Sequence, residues 1–277
     1  MNSVIRVFFA ILFLLFFQID RLLASTEVDL ELILAVDISR SMTDNELELQ
    51  RQGYAEALKS EEVFQAISGG PLGQIALTYI EWGGTYYQRT IVDWQIVRTR
   101  QDLQQVAAQL TAGVSSALYR TSLSGIIDHA TRSFEGNGYT SFRQVVDISG
   151  DGPNNEGPPV LGARKVALDK GIVINGLPLM TRDGPGLLSE LQDLEKYYEF
   201  CVIGGPGSFV IPVKEWRGFL GAVRKKLVLE IAGRMPEKNL LIKARYSGAT
   251  AEGYDCLIGE KMWRDIIESI PPEVIIP

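Results

Sequence analysis

A single histidine, His129, stands among 277 residues. That scarcity excludes a His-dependent catalytic triad and any metal site built on two imidazoles. His129 itself falls inside an amphipathic run and reads as a surface or boundary position of a helix. Dense positive charge is also scarce. The formal charge is −7, and an acidic chain without a basic patch is not built for nucleic acid or anionic lipid. Its one compact basic run, Arg224-Lys225-Lys226, lies on an expected helix and reads as a solvated face. Repeats and low-complexity tracts are absent. Gly204-Gly205-Pro206-Gly207 lacks the spacing and the following helix of a dinucleotide loop and reads as a turn. Two cysteines, Cys201 and Cys256, are an even count consistent with one disulfide in an oxidising compartment. Such a bridge would close about 55 residues and contribute roughly 2–4 kcal/mol. Two separate buried thiols are the alternative.

The long apolar run is also too short to span a bilayer comfortably: Val7 to Phe17, preceded by Arg6 and followed by the small residues Ala24 and Ser25. It reads as a secretory signal over residues 1–24, and an uncleaved anchor is the alternative. Its removal takes away Arg6, Arg21 and Asp20 and leaves a formal charge of −8. Hydrophobic residues make up 46% of the chain, ample for a core. The expected division is a main domain over 25–233 and a C-terminal appendage over 234–277. The appendage breaks the pattern of alternating elements and carries a short apolar stretch around Trp263, Ile266 and Ile267.

The main domain is organised around Leu32-Ile33-Leu34-Ala35-Val36-Asp37-Ile38-Ser39-Arg40-Ser41. The apolar part reads as a strand buried on both faces, which delivers Asp37, Ser39 and Ser41 at alternate positions to its carboxyl end. A helix is expected from Asp44 to Ile67, a strand over Gln74–Trp82, and a third over Gln88–Val97 joined to it as an antiparallel hairpin. Helical spacing recurs at Leu103, Val106, Ala107 and Leu110, and again at Leu123, Ile126, Ile127, Ala130 and Phe134, with Thr121 and Ser122 at the start of the second run. Gln144–Ser149 is another buried strand, ending in the turn Gly150-Asp151-Gly152-Pro153-Asn154-Asn155. A helix over Arg164–Lys170, a strand over Ile172–Leu179, a helix over Leu187–Tyr198, a last core strand over Phe200–Ile203 and a long helix from Trp216 to Leu227 complete the alternation. The pattern implies an α/β fold, a doubly wound and mostly parallel sheet of about six strands with one antiparallel edge strand. Trp82, Trp94, Trp216 and Trp263 read as core or sheet-packing residues rather than a sugar platform.

In such a sheet, ligands bind at the carboxyl ends of the strands. Asp37, Ser39, Ser41, Thr121 and Asp151 come from three separate segments and converge there only if the sheet forms as read. A carboxylate with hydroxyls is a hard-oxygen set suited to Mg²⁺ or Mn²⁺ and poor for zinc. The plainer reading is that Ser39, Ser41 or Thr43 caps the next helix, with Asp37 near its N-terminus.

Asp37-x-Ser39-x-Ser41, a distant Thr121 and a distant Asp151-Gly152 resemble the von Willebrand factor A-type (VWA) domain and its metal-ion-dependent adhesion site (MIDAS). The resemblance covers roughly Asp29 to Gly233. Ser122 is an alternative to Thr121, and Gly150 departs from the pattern, standing where the family carries Thr or Ser. The whole chain also looks like a bacterial secreted family built on this domain and without an assigned function. The resemblance implies an octahedral Mg²⁺ or Mn²⁺ bound by Ser39, Ser41 and Thr121, with Asp37 and Asp151 bonding directly or through water. It implies a partner protein that offers an Asp or Glu to the metal, no catalysis, and a periplasmic or secreted location without stable membrane insertion after signal cleavage. Two other readings remain. Asp37 with Gly150-Asp151-Gly152-Pro153-Asn154-Asn155 also resembles the phosphatases of the haloacid dehalogenase group, but Ser39 stands where their general acid is needed and Asn155 where an acid is expected. The third reading is a scaffold module with a degenerate metal site.

Overall fold

The computed structural model describes residues 25–113, 118, 120–181, 191–233, 242–243 and 253–269. The expected signal over 1–24 lies outside them. At its centre is strand β2 (Leu30–Asp37), all eight of whose residues are buried. Its side chains alternate between two cores. Leu30, Leu32, Leu34 and Val36 face one, and Ile33 and Ala35 face the other.

β2 is flanked in parallel by β3 (Ile75–Trp82) and β6 (Gln144–Gly150). Beyond β6 lie β7 (Val173–Pro178), parallel to β6, and the two-residue β8 (Phe209–Val210), parallel to β7. β4 (Gln88–Val97) closes one edge antiparallel to β3, and β9 (Ile242–Lys243) pairs antiparallel with β8 at the other. The order is β4-β3-β2-β6-β7-β8-β9, with a separate parallel pair of β1 (Thr26–Val28) and β5 (Tyr139–Ser141). Five of the six expected strands are in this sheet, and the short β8 and β9, too brief to leave a periodic signal, bring it to seven.

The helices are α1 (Asp44–Leu58), α2 (Glu61–Ser68), α3 (Arg100–Thr111), α4 (Leu123–Ser133), α5 (Val160–Asp169), α6 (Leu194–Tyr197), α7 (Phe219–Ala232) and α8 (Ile258–Ser269). Residues from α1, α3 and α7 fill the core on one face of the sheet, and residues from α4, α5 and α6 fill the other. Three expectations change. The helix expected over Asp44–Ile67 is two, because the Ser60 hydroxyl donates to the Ala57 carbonyl (2.6 Å) and accepts from Val63 N (3.4 Å), ending one helix and capping the next. The strand expected over Phe200–Ile203 is instead a π-helical turn, Tyr198–Val202, that continues from α6. Part of the helix expected over Leu187–Tyr198 lies outside the described residues. The basic run is not wholly solvated either: Lys226 is fully buried and pairs with Asp147, and with Glu230 at 2.5 Å.

Cys201 and Cys256 form a disulfide with Cα atoms 5.5 Å apart, tying the π-helical turn to the segment before α8. No helix among the described residues is long and apolar enough to cross a membrane.

Candidate metal centre

The order β3-β2-β6 places the carboxyl ends of β2 and β6 side by side where the chain turns outward in both directions, the crevice in which open α/β sheets take ligands. Val36 is paired with Ser149, so Asp37, the last residue of β2, lies next to Gly150. Asp37 is therefore a buried strand terminus and not a loop residue. Its Oδ1 accepts from Ser39 N at 2.7 Å, and its carbonyl accepts from the Gln50 side chain of α1 at 3.0 Å.

The turn after β2 brings the hydroxyls of Ser39 and Ser41 within 3.0 Å of each other, and Ser41 Oγ donates to Asp151 Oδ1 at 2.7 Å. Residues 110 apart in sequence thus meet directly. Thr43 is held elsewhere. It forms a reciprocal cap with Glu46, which also accepts from Trp216 Nε1 at 2.8 Å, so the capping role belongs to Thr43 and leaves Ser39 and Ser41 to face Asp151.

Thr121 arrives from the third segment. Its N–H donates to Asn155 Oδ1 (3.0 Å) and its carbonyl accepts from Asn155 N (2.9 Å), a reciprocal pair that fixes it to the loop after Asp151. Thr121 Oγ1 lies 3.9 Å from where a Cβ on Gly152 would stand. Ser122 is committed otherwise: it caps α4 by accepting from Gly125 N (3.1 Å) and donates to the Glu156 carbonyl (3.0 Å). Arg120, immediately before Thr121, has φ +74°, a conformation that L side chains rarely adopt. Its guanidinium stacks 3.6 Å from the ring centroid of Trp263 on α8.

Asn154 organises the rim. Its Oδ1 accepts from Ser124 N (3.1 Å), its N–H donates to Tyr197 Oη (3.1 Å), and its Nδ2 donates to Glu260 Oε1 of α8 (2.8 Å). Gly259 sits so close to the Asn154 carbonyl that a Cβ there would lie 2.1 Å away. Helix α8 therefore packs at the edge of this loop. Asn154, Asn155 and Tyr197 hold this loop in place, and sequence patterning does not single out their roles. The Asn-Asn pair was visible only as part of a turn.

Electrostatically the site is two buried carboxyls held close together. Burial, and then the charge of Asp151, pushes the Asp37 carboxyl well above the ordinary carboxylate range, against the bonds from Ser39. Burial pushes Asp151 up to about 6, partly offset by the Ser41 hydroxyl. Asp37 Oδ2 is buried and finds no hydrogen-bond partner among the described residues. Those residues contain no group of three or more His, Cys, Asp or Glu side chains suited to a metal. An ion here would rest on two carboxylates and on hydroxyls, a hard-oxygen donor set that fits Mg²⁺ or Mn²⁺.

The fold is similar to that of proximal thread matrix protein 1 (PTMP1) from the mussel byssus, with 17% identity and a TM-score of 0.53 over 75% of this chain and 49% of that one. A second PTMP1 structure, at 16% identity and a TM-score of 0.53, is described with a zinc-occupied MIDAS motif. The pilus adhesin SpaC from Lactobacillus rhamnosus GG gives 13% identity and a TM-score of 0.54 over 74% of this chain and 30% of that one. A von Willebrand factor type A structure from Catenulispora acidiphila gives 14% identity and 0.50 over 74% and 43%. The chain thus spans about half, or less, of the length of these solved chains, and the likeness is one of fold: a VWA-type α/β domain. No curated protein sequence matches it. A family model covers residues 27–235, and the chain belongs to that family, described as protein of unknown function (DUF1194).

Proposed function

We propose that the protein is a metal-ion-dependent protein-binding module. Asp37, Ser39, Ser41, Thr121 and Asp151 would hold Mg²⁺ or Mn²⁺, and the ion would take an acidic group from a partner protein. The observation that carries this reading is the contact between Ser41 Oγ and Asp151 Oδ1, which joins the ends of two adjacent strands into one oxygen-lined site. Two carboxylates balance a divalent charge while hydroxyls add none, and Mg²⁺ readily keeps a position open for an outside oxygen ligand. The ion would supply Lewis acidity and an attachment point, and this chain's residues would supply its orientation. PTMP1 with its zinc-occupied MIDAS and the pilus adhesin SpaC, proteins of similar fold, accord with the proposal. The disulfide accords with a periplasmic or secreted location.

No catalytic step is proposed. The phosphatase reading loses ground at Asn155, whose side-chain oxygen and backbone N–H are both engaged with Thr121. The scaffold reading draws support from α8, which lies against the loop after Asp151. Crosslinking in the cell envelope, with and without chelator, separates the two. Partners that disappear with chelator and with Asp151→Ala fit the adhesion reading, whereas the same partners under all conditions fit a scaffold.

A further inference from the structure

Two glycines on adjacent buried strands have no local reason to be there. Gly150 ends β6 and Gly176 lies in β7, in positions where a side chain would ordinarily pack and where glycine weakens a strand. They lie on the same face, since Ile148 pairs with Gly176 and Gly150 with Pro178. Together they make a slot that Tyr198 lies across, with Ile203 Cγ2 also 3.0 Å from where a Cβ on Gly176 would stand. A Cβ on Gly176 would stand 2.6 Å from Tyr198 Cδ1, and a Cβ on Gly150 would stand 2.8 Å from Tyr198 Oη. The ring therefore lies across both glycines, with its hydroxyl over Gly150.

The hydroxyl end meets the site described above. That same Cβ position on Gly150 is 2.8 Å from Asp37 Oδ2. Tyr198 Oη and Asp37 Oδ2 are both buried, and neither has a hydrogen-bond partner among the described residues. An unpaired donor and an unpaired carboxylate oxygen thus face one point from which any side chain at 150 would exclude them. Burying either group unpaired is costly, so each needs a partner. A tyrosine phenol carries its proton at neutral pH and can donate. Tyr198 also opens the π-helical turn Tyr198–Val202, a local irregularity of the kind found at functional sites.

We propose that Tyr198 is a positioning residue of this site: its hydroxyl donates to Asp37 Oδ2 through one shared water, and Gly150 and Gly176 are glycine to admit it. Asp37 is then gripped at both oxygens, by Ser39 N on Oδ1 and by Tyr198 through the water on Oδ2, which sets the orientation in which it can serve an ion. The departure of Gly150 from a hydroxyl-bearing residue becomes an exchange, with the hydroxyl supplied from across the slot.

The inference rests on the metal-binding reading for its consequence but not for its geometry, and two arms separate them. In the first, metal affinity of the mature protein and of Tyr198→Phe is measured by calorimetry with Mg²⁺ and Mn²⁺, alongside the metal-free melting midpoint. The phenylalanine keeps the ring in its slot, so the variant should fold. Its affinity should fall about 10-fold or more, the scale of lost outer contacts to a metal ligand. A folded variant with wild-type affinity would overturn the positioning role. In the second arm, a crystal structure of the metal-free protein should show Tyr198 Oη and Asp37 Oδ2 on a shared water, and a hydroxyl bonded elsewhere would overturn the pairing. If the wild type binds no ion while the pair is seen, the proposed function fails and the contact stands.

Discussion

Asp147 of β6 and Lys226 and Glu230 of α7 share one buried site beneath the sheet, completed by Asn175, whose Nδ2 donates to Glu230 Oε1 at 2.9 Å. Two carboxylates face one ammonium in a dry setting. Burial, then the charge of Asp147, pushes Glu230 up to about 8, and burial also raises Asp147. The folded protein thus keeps a proton on Glu230 that the unfolded chain, with an ordinary value of 4.5, has lost. This group's contribution to stability is complete below about 4.5 and is lost as pH rises through about 8. Melting midpoints from pH 5 to 9 should fall in the wild type and fall less in Glu230→Gln, which keeps an oxygen acceptor for Asn175. Parallel curves would refute the assignment. Lys226 also shows what a charge run conceals. Val223, Lys226, Leu227 and Glu230 share the buried face of α7, and Arg224 is exposed. Helical periodicity applied residue by residue places Lys226 inside, where the run taken as one block places it in water. Asp37, Ser39, Ser41 and Asp151 were legible because each stands within a few residues of a buried strand's end. Tyr198 was not, because its slot is cut by glycines of two other strands.

The elements that escaped the sequence are the short and ambiguous ones. Tyr198 to Ile203 is a brief apolar run that strand and helix patterns fit equally, and tertiary packing made it a π-helical turn. The long, strongly periodic segments, β2, β3, α3 and α4, fall where alternation and capping residues put them. Cys201 lies in the π-helical turn and Cys256 two residues before α8, a helix with Gly259 buried and several exposed side chains. Its hold on the molecule includes the disulfide, the packing of Tyr254 and Ile258 against the second core, the Gly259 contact with Asn154, Glu260 and the Arg120–Trp263 stack. Replacing both cysteines with serine should cost roughly 2–4 kcal/mol. It should also make the region from Gly253 to Ser269 the first to be cut in limited proteolysis. Unchanged melting and an unchanged digestion pattern would show that packing alone secures α8.

At the scale of the molecule, the sheet order explains why Asp37, Ser39, Ser41 and Asp151 lie together, and Asn155 ties Thr121 to the same loop. β2 sits between β3 and β6, the strands diverge in connection there, and the loops that follow β2 and β6 form one rim. Doubly wound architecture was readable from alternating patterns, and the order of strands came from the structure. The central claim is that this rim binds a divalent ion through Asp37, Ser39, Ser41, Thr121 and Asp151. Its most direct test is the melting midpoint of the mature protein in EDTA, Mg²⁺, Mn²⁺, Ca²⁺ and Zn²⁺, run beside Asp151→Ala. An ion at 100 times its dissociation constant adds about 2.7 kcal/mol, a rise on the order of 5–10 °C. The account predicts such a rise with Mg²⁺ or Mn²⁺ in the wild type and none in the variant. No rise with any ion, or an equal rise in Asp151→Ala, would contradict it.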